Sequence, residues 1–95
     1  MERRASERRA FDQPLELEMT AVEAGRAGNL TCRGAGVDIC PDGLGLLSAY
    51  PLARGMVIRL AIQVGNTGNK LPVFAEVAWV SPAEERFRAG VRFLR

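Results

Sequence analysis

From Leu15 onward, apolar residues recur at every second position in run after run, and this alternation is the strongest constraint on what the chain can fold into. A strand turns successive side chains to opposite faces, so a period of two writes one dry face and one wet face. Leu15, Leu17, Met19 and Ala21 alternate with Glu16, Glu18 and Thr20. The clearest stripe is Ile58, Leu60, Ile62 and Val64, with Arg59 and Gln63 on the opposite face. The pattern predicts six strands, over 15–21, 30–39, 44–49, 56–64, 73–80 and 86–95, and no helix. Gly34 and Gly36 interrupt the second run and predict a bulge or a bend there. Pro41-Asp42-Gly43 reads as a turn, with Gly43 free to take a positive φ. Ala75, Val77 and Trp79 are expected on one inward face, as are Phe87, Ala89, Val91 and Phe93. Regularly spaced strands and glycine-rich turns favour a small antiparallel barrel or sandwich.

Composition removes several function classes. A chain of 95 residues has room for one small domain. It contains no histidine, which excludes Ser-His-Asp and Cys-His chemistry and the commonest zinc ligand. Cys32 and Cys40 are too few for a disulfide scaffold or a four-ligand metal site, and with no export signal they are expected as reduced thiols. No apolar run reaches the ~20 residues needed to span a bilayer. The expectation is a cytoplasmic domain with no catalytic residues, no metal and no membrane insertion. A net charge of +2 carries no overall field toward DNA or RNA. The segment from Gly65 to Lys70 has two glycines near a lysine, but it lacks phosphate-loop spacing and opens a strand; a hairpin loop is expected.

The positive charge has a particular character. Of 13 cationic residues, 12 are arginine, and four of these (Arg3, Arg4, Arg8 and Arg9) fall within the first nine positions. A planar guanidinium forks onto phosphate, meets a guanine edge or stacks on a base, whereas an ammonium acts mainly as a point charge. Residues 1–12 are locally compatible with a helix, but too short to hold one alone, and Pro14 stops it. They read as an arm leading into a domain over 13–95.

Two segments, in order, carry a resemblance. Arg4-Ala5-Ser6-Glu7-Arg8 places two arginines four apart just before the first strand, and Asp38-Ile39-Cys40-Pro41-Asp42-Gly43 ends a strand in a turn. Gly43-Leu44, Pro51-Leu52, Glu76-Val77-Ala78-Trp79 and Ala89-Gly90-Val91-Arg92-Phe93 follow. Together these resemble the PilZ domain, a bacterial receptor module for cyclic di-GMP, whose signatures are an Arg-x-x-x-Arg arm and an Asp/Asn-x-Ser-x-x-Gly turn. Cys40 stands where the family has Ser. The resemblance implies a six-stranded antiparallel β-barrel with a flexible N-terminal arm, ending at Arg95 without the C-terminal helix of many members.

It also implies a ligand and its contacts. Arg4 and Arg8 would grip phosphate and guanine, and Arg3 and Arg9 would supply further contacts, Arg3 also bearing on ligand stoichiometry. Asp38 would accept from the guanine N1–H and N2–H donors, and Gly43 would let the backbone approach closely. Cys40 would weaken one hydrogen bond. The arm would order on the ligand and signal to a partner protein or fused domain, with no further cofactor. Two alternatives stand beside this: a degenerate PilZ module that binds a protein and no nucleotide, and a nucleic-acid barrel of the OB type, which would need exposed aromatics on a strand face.

Overall fold

A computed structural model of the chain describes residues 9–63 and 68–94, the side chains of 21–23 excepted. Among these residues are seven strands and no helix: β1 (Arg9–Ala10), β2 (Pro14–Glu23), β3 (Arg26–Cys40), β4 (Gly43–Ser48), β5 (Val57–Gln63), β6 (Lys70–Ala83) and β7 (Arg86–Phe93). All neighbours pair antiparallel in the order β1-β3-β2-β5-β6-β7-β4, and an additional β3–β4 pairing closes β2 to β7 into a six-stranded barrel. The short β1 stands outside the ring on β3.

The six predicted strands are all present, and β2, β3 and β6 reach further than the alternation alone indicates. The β2–β3 turn is only Ala24-Gly25, at φ 54° and 77°, the doubly positive pattern of a tight hairpin. Residues 26–29, which lie between the first two predicted strands, therefore belong to β3. Likewise β6 begins at Lys70 and continues to Ala83, because it stays paired with β7 beyond Val80. The predicted Gly65–Asn69 loop falls largely on residues 64–67, outside the described residues, as does Val64 of the β5 stripe. Helix is not the conformation of residues 9 and 10, which are extended on β3.

Closure gives the alternation its energetic meaning. Leu15, Leu17 and Met19 from β2, Leu44 and Leu46 from β4, Ile58 and Leu60 from β5, Ala75 and Val77 from β6, and Ala89 and Val91 from β7 fill one core, with Leu52 from the β4–β5 connection. Each large side chain so buried contributes about 1.5–3 kcal/mol. Ser48 is the buried polar residue among those described, and its hydroxyl is satisfied: it donates to Tyr50 O at 2.8 Å and accepts from Tyr50 N–H at 3.0 Å. Cys32 is half-buried, with its Sγ 3.8 Å from Ser48 Oγ.

Two β-bulges shift the phase of this alternation. On β3, Gly36 faces Leu46 and Asp38 faces Gly45, so Val37 is an extra residue. Leu30 and Cys32 before it and Ile39 after it pack against the core, a change from even to odd positions. Asp38 is thereby turned to the outer face. On β6, Val77 faces Val91 and Trp79 faces Gly90, which makes Ala78 the extra residue. Ala75 and Val77 before it are buried and Val80 after it packs on the core, so Trp79 points outward and is 41% exposed. This corrects the inward placement that strict alternation predicts for Trp79. Phe87 and Phe93 are half-buried, on the side of β7 expected for them.

Candidate functional site

The bulges place Asp38 and Trp79 on one outer row. Cα partners run Ala10 to Asp38, Asp38 to Gly45, Gly45 to Gly90, and Gly90 to Trp79, crossing β1, β3, β4, β7 and β6. Asp38 and Trp79 are three strand spacings apart, about 14 Å at the backbone. Between them lie two buried glycines, whose missing side chains leave room for these two neighbours. Asp38 leans over Gly45: its Oδ1 accepts the Gly45 N–H at 3.1 Å, and a Cβ on Gly45 would lie 2.7 Å from that oxygen. From the other side the Trp79 indole covers Gly90, where a Cβ would lie 2.2 Å from Nε1. The row is a shallow platform with a carboxylate at one end and an indole at the other.

The β3–β4 turn sits next to this row. Cys40 and Gly43 are Cα partners across Pro41-Asp42, and the Asp42 carbonyl accepts the Phe93 N–H at 2.8 Å, which ties the turn to β7. Past the bulge, alternation puts Cys40 on the same face as Asp38. The Cys40 thiol is half-buried and forms no disulfide. Gly43 is buried and does not use a positive φ, contrary to the expectation for it. It is glycine because a Cβ there would lie 2.0 Å from the Val91 carbonyl oxygen. Beside the platform, on the Leu47 side, is a groove of about 370 Å³ bounded by Asp12, Gln13, Arg33, Leu47 and Arg86.

With this geometry established, comparison with known proteins is decisive about family. The sequence model of the PilZ domain matches residues 2–95. The chain belongs to the PilZ domain family. Comparison with curated proteins finds no match. Two solved structures share the fold. One is YcgR from Escherichia coli in complex with c-di-GMP, at TM-score 0.69 and 24% identity, covering 98% of this chain and 38% of that one. The other is the PilZ domain of E. coli YcgR with c-di-GMP, at TM-score 0.69 and 23% identity, covering 99% and 79%. This PilZ domain thus spans well under half of the longer YcgR chain.

The structure brings Asp38, Cys40 and Gly43 together at one end of β3 and β4. Arg9 of the PilZ arm is exposed and pairs with Ile39, so alternation turns it away from the face of Asp38. Arg3, Arg4 and Arg8 lie outside the described residues. Sequence reasoning missed Gly45, Gly90 and Trp79 as parts of this platform. Gly90 was visible as a landmark, but its pairing with Trp79 depends on the Ala78 bulge, which leaves no mark of its own in the sequence.

Proposed function

We propose that this PilZ domain is a receptor for cyclic di-GMP that orders its arm on the ligand and signals to a partner protein or fused domain. The observation that carries this reading is the pairing of β1 with β3. Arg9 and Ala10, which follow the Arg-x-x-x-Arg segment directly in sequence, pair with Ile39 and Asp38 of the second signature segment.

Each group suits the ligand for a stated reason. Cyclic di-GMP has two phosphates and two guanines. Arg4 and Arg8 supply guanidinium forks for phosphate and for the O6/N7 edge, with Arg3 and Arg9 adding positive charge on either side. Asp38 accepts from N1–H and N2–H, which distinguishes guanine from a base with acceptors there. Gly45 and Gly90 let the Asp38 carboxylate and the Trp79 indole lie close on the sheet, and the partly exposed indole offers a guanine an aromatic neighbour. Gly43 holds the turn against β7, which keeps Cys40 beside Asp38. Cys40 gives a weaker hydrogen bond than Ser would, at a cost of about 0.5–1.5 kcal/mol, roughly two- to tenfold in affinity.

Calorimetric titration with cyclic di-GMP of the wild type, Arg4→Ala and Arg8→Ala tests the reading. Heat in the wild type that is lost in both variants supports it. Cys40 favours one rival, a PilZ module that has given up nucleotide for a protein partner. No wild-type heat at millimolar ligand would decide for that rival.

A further inference from the structure

The root of the arm is clamped to the barrel by contacts that neither signature contains. The Phe11 N–H donates to Val37 O at 3.0 Å, and the Gly36 N–H donates to Gln13 O at 2.8 Å. In the other direction the Gln13 Oε1 accepts the Gln63 N–H of β5 at 3.0 Å. The Phe11 side chain is half-buried and packs against the core. It does so directly over Gly36: a Cβ there would lie 2.4 Å from Phe11 Cδ2, 2.8 Å from Cε2 and 2.5 Å from the Phe11 carbonyl oxygen.

Those three nearest atoms all belong to the arm. The other close-packed glycines of β3 and β4 differ in this respect. A Cβ at Gly34 would meet Leu47 O and the Leu17 side chain, and one at Gly43 would meet Val91 O, all atoms of the barrel itself. Gly36 is a notch cut for Phe11. The clamp also uses the bulge, since Val37, whose carbonyl holds the Phe11 N–H, is the inserted residue that turns Asp38 outward.

We propose that Phe11 and Gly36 form a knob and notch that fixes where the arm leaves the barrel, so that it starts beside Asp38 before any ligand arrives. This rests on the receptor reading above. Both are positioning residues and neither contacts the ligand. With the clamp closed, the arm is held at Ala10, opposite Asp38. With it open, the nearest fixed point is Pro14 at the start of β2, and the added slack dilutes the arm's arginines around the platform.

The test is titration with cyclic di-GMP of the full chain carrying Phe11→Ala, Gly36→Ala, Phe11→Leu, or the first two together. Thermal melting and ligand-free amide exchange at Phe11 accompany it. Each alanine variant weakens binding by about tenfold or more. Phe11→Leu restores most of the loss, and the double variant binds little worse than either single one, because the filled notch has no knob to displace. Gly36→Ala melts within a few degrees of wild type, since no barrel atom is among the nearest to its Cβ, yet its Phe11 amide exchanges faster. Wild-type affinity in both single variants, measured well below their melting temperatures, overturns the proposal. A wild type that gives no heat overturns the receptor reading and the positioning role with it. Phe11 exchange then reports on the clamp alone.

Discussion

On the outer face of β5 and the first half of β6, side chains occupy the outward positions in regular alternation. Val57 lies beside Glu76 and Arg59 beside Phe74, which is 54% exposed. Arg59 pairs with Glu18 at 2.9 Å, and Arg92 pairs with Glu76. Across the barrel, the outer positions of β4 and β7 include Gly43, Gly45 and Gly90, and the flanking strands each carry a bulge. The interior is alike beneath both faces, being a continuous aliphatic core. The contrast teaches that the platform is made by removing side chains from the middle strands and shifting the phase of those at its edges. Neither operation disturbs the core, so the platform is shaped on the outside of a barrel whose stability is decided on the inside.

The comparison can be broken most severely at a bulge. Deleting Val37 regularises β3, but Asp38 then follows Gly36 directly and keeps its place opposite Gly45, as Ile39 does opposite Leu44. What is lost is the carbonyl that accepts the Phe11 N–H, and with it the anchoring of the arm. We expect affinity for cyclic di-GMP to fall by roughly tenfold or more in calorimetric titration. Next in size, Gly43→Ala drives a methyl into the Val91 carbonyl and costs about 1–3 kcal/mol, read as a lowered denaturation midpoint. Asp38→Ala tests the platform with less damage to the fold. Affinity for cyclic di-GMP falls by roughly tenfold or more as a charge-assisted hydrogen bond is lost.

Two smaller effects sharpen the contrast between faces. Trp79→Ala and Phe74→Ala remove exposed aromatics from the same strand, one on each side of the Ala78 bulge. The first lowers affinity by roughly fivefold or more, as loss of a stacking surface does. The second leaves affinity within about twofold and stability within about 0.5 kcal/mol. Cys40→Ser acts in the opposite sense, tightening binding by roughly two- to tenfold in the same titration.

The barrel was legible because burial on one face of a strand imposes period two, and Leu15, Leu17, Ile58 and Leu60 follow it without a break. The β3 bulge was legible in part, since Gly34 and Gly36 interrupt a run whose apolar positions pass from Leu30 and Cys32 to Val37 and Ile39. The bulge on β6 was not. Ala78 is an ordinary strand residue, and only its partner register with Gly90 shows that Trp79 has changed sides. Gly43 was singled out for the wrong reason. A single sequence shows a glycine but not whether φ or a neighbouring carbonyl demands it. Phe11 went unread because a lone aromatic beside a charged run has no period from which to infer what it covers.

The central claim is that the Asp38–Gly45–Gly90–Trp79 row is the ligand surface. Titrating the isotope-labelled chain with cyclic di-GMP while following amide and indole resonances tests it most directly. The account predicts that the largest shifts fall on the Gly45 and Gly90 amides and the Trp79 indole N–H, while those of Val57 and Phe74 stay near their free positions. Shifts concentrated on β5 and the first half of β6, or a spectrum unchanged at millimolar ligand, would contradict it.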